Sequence, residues 1–225
     1  MLLQQIRIEC KKIGDPKVAV EQQRYMKSTM PYWGVKSPQL QKICRDLFKD
    51  HIPKDITEYC KTICNLFYHA THREEWYAGI QYARKFHRFI IEENVPLYIE
   101  IVNLTNWWDV VDSVAQNLIG KALLGSDNLH TLLKTWIQDD NLWIRRTSLL
   151  AQLKYKDQTD FNLLKDLVKS TWYEKEFFIR KAIGWALRQY SYTNPQAVQK
   201  FIMENENNLS PLSVQEGMKV ILRPQ

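Results

Sequence analysis

Two segments of the sequence decide the fold, NLWIRRTSLLAQLKY at 141–155 and EFFIRKAIGWALRQY at 176–190. With an offset of 35 residues, the two segments match at apolar, basic and aromatic positions. The matching pairs are Ile144 with Ile179, Arg145 with Arg180, Arg146 with Lys181, Ala151 with Ala186, and Tyr155 with Tyr190. A period of about 35 to 45 residues with two helices per unit is typical of HEAT-like repeats. We therefore predict an all-α fold, an α-solenoid of stacked antiparallel helix pairs with a concave basic face.

The rest of the chain continues the helical pattern, because its apolar residues recur at spacings of three and four. No segment alternates as a strand would, and no Asn-Gly or Asp-Gly hairpin turn occurs. Ser37-Pro38, Asn194-Pro195 and Ser210-Pro211 each pair a capping residue with a proline suited to the first helical position. The predicted helices span 2–13, 16–29, 38–50, 55–68, 72–89, 95–104, 107–124, 128–138, 141–155, 159–170, 175–191, 195–206 and 211–222. No shift in composition marks a boundary, so we expect a single domain over 1–225.

Several classes of protein are excluded by what the sequence lacks. No apolar run reaches the roughly 18 residues that a membrane helix needs, and the N-terminus does not resemble a secretion signal. We therefore expect a cytoplasmic protein without a membrane partner, associated with the nucleoid if the organism is bacterial. The four cysteines form no Cys-x-x-Cys pair, and neither a P-loop nor a Gly-x-Gly-x-x-Gly motif occurs. We expect buried cysteines, no metal and no nucleotide cofactor.

Charge and aromatic residues are concentrated in the second half of the chain. Residues 141–190 hold ten Lys and Arg against five Asp and Glu, which accounts for most of the net charge of +6. Five of the eight tryptophans lie between 107 and 172, and another is Trp185. Basic charge with aromatic side chains is typical of a nucleic-acid surface. On composition alone, a solvated basic face over a core that holds the tryptophans fits equally well.

Two charged residues break the amphipathic pattern of their helices. On an ideal wheel, Asp112 falls inside the apolar arc of helix 107–124, one turn after Trp108, whereas Asp109 points to the polar side. Arg146 falls inside the apolar arc of helix 141–155, and Arg145 points to the polar side with Gln152. Since a lone buried charge is costly, the pattern predicts either a structural ion pair between stacked repeats or a functional carboxylate held ionised by the arginine.

Trp185 is the third departure from the pattern. It lies just outside the apolar arc of helix 175–191, and its neighbours on the wheel are Lys181 and Arg188. An indole at such an edge, beside two cations, can stack on a ligand that has anionic surroundings. The alternative interpretation is an amphipathic tryptophan that covers a junction between repeats.

NWWDVVDS (106–113), DNLWIRRTSLLAQLKYK (140–156) and KEFFIRKAIGWALRQY (175–190) closely resemble the AlkD-type DNA alkylation repair family, and RYMKS (24–28) is similar to its N-terminal stretch. The resemblance implies a HEAT-like DNA glycosylase that hydrolyses the N-glycosidic bond of cationic N3-methyladenine and N7-methylguanine in duplex DNA without a deep base-flipping pocket. It assigns the family's site aspartate to Asp112, its two site tryptophans to Trp108 and Trp185, and its DNA-contacting arginine to Arg146.

The expected partner is double-stranded DNA with alkylated bases, bound by a monomer without a cofactor. Asp112 would stabilise the cationic transition state, and the two tryptophans would offer electron-rich faces to it. Arg146 and the basic face would neutralise phosphates. The further cations of that face are Arg145, Lys154, Lys156, Lys181 and Arg188. The alternative functions are a non-catalytic HEAT-like protein that binds distorted or branched DNA, and a scaffold for other proteins.

Overall fold

The computed structural model describes residues 1–222. Within them the chain forms thirteen α-helices and no strand, so the all-α prediction is confirmed. The contacts group the chain into two compact units, Met1–Ile90 and a second that begins at Ile91. The single domain over 1–225 stays a prediction. No helix within 1–222 is long and apolar enough to cross a membrane.

The first unit contains five helices. They are α1 (Leu2–Ile13), α2 (Pro16–Met26), α3 (Ser37–Leu47), α4 (Ile56–Tyr68) and α5 (Arg73–Lys85). Helix α3 packs against both α1 and α5, and α4 packs against α5. The thiols of Cys10 and Cys44 lie among the buried apolar side chains, as expected, while Cys60 and Cys64 are half-buried.

The second unit contains eight helices. They are α6 (Val95–Thr105), α7 (Trp108–Val114, Ala115–Ile119 and Gly120–Leu123), α8 (Leu129–Trp136), α9 (Leu142–Leu150), α10 (Phe161–Thr171), α11 (Phe177–Ser191), α12 (Pro195–Glu204) and α13 (Pro211–Met218). The middle segment of α7, Ala115–Ile119, is a π-helix that continues the α-helices on either side. Alternate helices stack in the order α7, α9, α11 and α13, and each has a partner from the other set beside it. This is the arrangement of stacked helix pairs that the repeat predicts.

Hydrogen bonds between neighbouring layers show the repeat directly. Tyr155 donates to the carbonyl of Gly120, which is 35 residues earlier. The side-chain bonds between Arg146 and Asp112 and between Lys181 and Glu216 span 34 and 35 residues. The period read from the sequence is therefore the spacing at which equivalent positions of successive layers meet.

Two of the three predicted helix caps are confirmed, whereas several helix ends differ from the prediction. Asn194 and Ser210 cap the helices that begin at Pro195 and Pro211, as predicted. The predicted cap Ser37 is instead the first residue of α3, and Lys36 occupies the cap position. Helix α2 ends at Met26 instead of 29, because Lys27 takes a left-handed conformation with φ of 49°. Six other helices also end at least two residues earlier than predicted, namely those predicted at 38–50, 72–89, 128–138, 141–155, 195–206 and 211–222.

Candidate active site

Asp112 and Arg146 form a buried, bidentate ion pair between α7 and α9. Arg146 Nε donates to Asp112 Oδ1 at 2.6 Å, and Nη2 donates to Oδ2 at 2.8 Å. The two residues are only 8% and 3% exposed. This fork arrangement is the strongest form of an arginine–carboxylate contact. The wheel therefore placed both charges correctly on the inner side of their helices.

Arg146 also connects this pair to the next layer. Its Nη1 group donates to the carbonyl of Phe178 in the first turn of α11, and its guanidinium lies 5.8 Å from the centre of the Phe178 ring. One side chain thus joins α7, α9 and α11. The position of the Asp112 carboxylate is set by all three helices.

Two opposing effects act on the ionisation of Asp112. Burial raises the pKa of its carboxyl group, and the nearby Asp109 also raises it, while the hydrogen bonds and charge of Arg146 work in the opposite direction. The pKa lies above the ordinary value for an aspartate. Because each oxygen receives one hydrogen bond from a cation and has a second lone pair, the carboxylate can still accept a water or face a developing positive charge.

An aromatic cluster lies against the ion pair. The rings of Trp107 and Trp143 are 5.7 Å apart, and the Phe178 ring lies 5.7 Å from the first and 4.9 Å from the second. Trp143 is 4% exposed and belongs to the core. Apolar surroundings of this kind lower the local dielectric and so strengthen the interaction of Asp112 with any nearby charge.

The two site tryptophans proposed from the sequence are half-buried. Trp108 opens α7, one turn before Asp112 on the same helix. Trp185 lies in the middle of α11, the helix whose first turn accepts a hydrogen bond from Arg146. Both indoles therefore retain solvent-accessible surface, which distinguishes them from the core residue Trp143.

The structure gives most of the predicted DNA-binding cations an acidic partner. Arg145 forms a fork with Glu174 at 3.1 and 2.9 Å and also donates to the carbonyls of Asp139 and Asp140. Lys181 and Arg188 both contact Glu216, at 2.6 and 2.7 Å. Lys154 and Lys156 are exposed, and Lys154 donates to the side-chain oxygen of Asn117.

Comparison with known proteins shows which family the chain belongs to. Residues 6–221 match a family model described as DNA alkylation repair enzyme. The chain belongs to the DNA alkylation repair family. A solved structure from Enterococcus faecalis, described as a predicted DNA alkylation repair enzyme, is 34% identical to this chain. The alignment covers 94% of this chain and 98% of that one, with a TM-score of 0.83. No curated protein matches.

Membership of the DNA alkylation repair family gives the protein a role in the repair of alkylated DNA. Two residues around the site of this family member were not found from the sequence. The sequence pattern assigns no role to Phe178, although its carbonyl and ring both contact Arg146. Glu216 was missed, but the offset of 35 residues, applied forward from Lys181, leads directly to it.

Proposed function

We propose that this protein is a DNA glycosylase that removes cationic alkylated purines, N3-methyladenine and N7-methylguanine, from duplex DNA. The observation that carries this proposal is the nearly buried Asp112 carboxylate, fixed by two hydrogen bonds from Arg146 and one helical turn from the half-buried Trp108. A carboxylate placed in this way can stabilise positive charge that develops on the deoxyribose. We propose that the protein acts as a monomer in the cytoplasm.

The substrate's own charge explains why one carboxylate is enough. An alkylated purine that already carries a positive charge leaves without being protonated, so no general acid is required. As the C1′–N bond breaks, its electron pair neutralises the purine, and the sugar becomes cationic. A water molecule then forms the new C1′–O bond and releases a proton to solvent. Asp112 stabilises the sugar cation and orients that water.

The other site residues have supporting roles in this proposal. Arg146 favours the ionised form of Asp112, because its hydrogen bonds and charge oppose the rise in pKa caused by burial. It also fixes the position of the carboxylate, since its buried guanidinium is shared with the Phe178 carbonyl. Trp108 and Trp185 offer the faces of their rings to the cationic sugar or base. Because this chemistry needs only electron-rich ring faces and a fixed carboxylate, we propose that it proceeds without flipping the base out of the duplex.

The test is the release of 7-methylguanine from methylated duplex DNA by wild type and by Asp112→Asn. Losing an electrostatic stabiliser of this kind raises the barrier by about 2–4 kcal/mol, so we expect release to fall by roughly two orders of magnitude or more. Because breaking a buried ion pair also costs about 3–5 kcal/mol of stability, the assay is run below the measured melting transition. DNA binding should be kept.

Asp109→Asn is the matched control, since it removes the same charge three residues earlier on α7. We expect it to retain most of the wild-type rate. Unchanged release by Asp112→Asn would refute the assignment of the catalytic residue. Tight DNA binding by wild type without any base release would favour the non-catalytic binder of distorted or branched DNA.

A further inference from the structure

Glu216 on α13 is a buried carboxylate shared by three cations. It is 2% exposed, although it is charged. Lys181 Nζ lies 2.6 Å from its Oε1, and Arg188 Nη1 lies 2.7 Å from its Oε2. Lys219 also contacts Oε1. Two of these cations come from α11, where they flank Trp185.

The close packing of α11 on α13 explains why one carboxylate reaches both cations. Gly184 lies between Lys181 and Arg188 on α11, and a Cβ added there would lie 2.5 Å from Glu216 Cβ and 2.9 Å from the carbonyl oxygen of Ser213. The absence of a side chain at Gly184 thus lets α13 approach α11 closely. Lys181 and Arg188, one turn on either side, extend to the same carboxylate.

Glu216 is charged under physiological conditions. Desolvation works to raise its pKa, but the hydrogen bonds from Lys181 and Lys219 and the attraction of Lys181 and Arg188 outweigh it, so the pKa lies below the ordinary glutamate value. The cations on either side of Trp185 are therefore already neutralised in part. Both remain partly exposed, so a phosphate can still reach them.

We propose that Glu216 is a specificity-determining residue that competes with DNA phosphates for Lys181 and Arg188. It weakens their attraction to undamaged DNA, and the two cations exchange the carboxylate for phosphate only where the duplex is drawn against Trp185. This inference rests on the proposed function. Undamaged DNA is the main competitor for any protein that searches for rare lesions. A lower affinity for undamaged DNA therefore raises the ratio of lesion binding to non-specific binding.

The test compares Glu216→Gln with Glu204→Gln, a charge-matched control at an exposed position of α12. Binding to an undamaged duplex oligonucleotide is measured by fluorescence anisotropy over a range of salt concentrations, after both variants are shown to fold by circular dichroism and thermal melting. Each added phosphate contact steepens the plot of log affinity against log salt by about 0.9. We expect the slope for Glu216→Gln to be steeper than that of the control by about 0.9 to 1.8, which corresponds to one or two phosphate contacts. Glu216→Gln should also bind undamaged duplex more tightly than the control.

A second set of variants shows whether the effect passes through the two cations. Because Glu216→Gln also releases Lys219, these variants all carry Lys219→Met. In that background, adding Lys181→Met and Arg188→Met to Glu216→Gln should return the salt dependence to the slope of Lys219→Met alone. Equal slopes for Glu216→Gln and Glu204→Gln would overturn the inference, as would an increase that persists without the two cations.

If Glu216→Gln does not fold, Arg188→Gln provides the test, because Lys181 and Lys219 still pair with Glu216 in that variant. We expect Arg188→Gln to bind undamaged duplex within about twofold of wild type but to release 7-methylguanine several-fold more slowly at low DNA concentration. A loss of undamaged-DNA affinity equal to a full phosphate contact would overturn the inference. If wild type neither binds duplex DNA nor releases base, the proposed function itself fails.

Discussion

At Asp112, burial and ion pairing act on the same carboxyl group, and the balance sets the pH at which the proposed chemistry stops. Its pKa is raised above the ordinary aspartate value, chiefly by burial. Since only the ionised form stabilises a cation, activity is present above this pKa and is lost as the pH falls through it. We expect the acid limb of base release to lie above about pH 3.9, the ordinary aspartate pKa.

The measurement is the rate of 7-methylguanine release between pH 4 and 8, with the enzyme-free rate subtracted at each pH. The residual activity of Asp112→Asn should show no such limb. An identical acid limb in that variant would mean that another group is responsible for the pH dependence.

Three tryptophans of the second unit differ in burial and in their proposed roles. Trp143 is 4% exposed and packs 4.9 Å from Phe178, so Trp143→Ala should cost about 3–5 kcal/mol of stability. Trp185 is half-buried, so Trp185→Ala should fold well and lose about 0.5–2 kcal/mol of transition-state stabilisation. Trp108→Ala should lie between these two variants in its loss of stability and in its loss of activity. Thermal melts and base-release rates for the three variants test this, and a Trp185→Ala melt far below that of Trp143→Ala would contradict it.

The inner positions of Asp112 and Arg146 could be predicted because a helical wheel needs only a regular helix over a few turns. Their partners could be suggested but not fixed, since the wheel gives no distance between helices. The pairing of Arg145 with Glu174 was beyond such reasoning, because Glu174 lies in the connection between α10 and α11, where no regular geometry applies.

The helical elements themselves depart from ideal geometry at two places that the sequence did not reveal. The backbone widens to a π-helix over Ala115–Ile119 within α7, and it tightens to a 3₁₀ turn over Ala151–Lys154 after α9. The wheel therefore failed for Gln152, which was placed on the polar side. Gln152 is buried and accepts a hydrogen bond from the Asp160 backbone at 2.8 Å.

These two irregular segments pack against each other through Tyr155 and Gly120. The Tyr155 hydroxyl is buried and donates to the Gly120 carbonyl at 2.7 Å. Tyr155→Phe keeps the ring and leaves that carbonyl without this donor, which should cost about 1–3 kcal/mol. Tyr190→Phe is the control, because Tyr190 is the repeat equivalent and contributes its ring face to Phe161. Urea denaturation of both variants tests the expectation, and equal stability losses would contradict it.

For the molecule as a whole, the sequence repeat was the most informative signal because every layer must pack against the next in the same way. The offset of 35 residues predicts which positions meet, as Tyr155 with Gly120 and Lys181 with Glu216 do. The charge surplus of residues 141–190 was less informative, because the sequence does not show which cations face carboxylates. Arg145, Arg146, Lys181 and Arg188 all do.

This distribution of ion pairs predicts how salt acts on DNA binding by the whole protein. Each cation that reaches a phosphate contributes about 0.9 to the slope of log affinity against log salt. The side chains of Lys154 and Lys156 are both exposed, so a phosphate can reach them. The double variant Lys154→Gln, Lys156→Gln should therefore make the plot of log affinity for undamaged duplex against log salt shallower by about 1.8, the value of two phosphate contacts. Arg145→Gln should change it little, because Arg145 is held by Glu174. Anisotropy titrations at several salt concentrations measure both, and wild-type affinity that does not depend on salt would point to a protein partner instead of DNA.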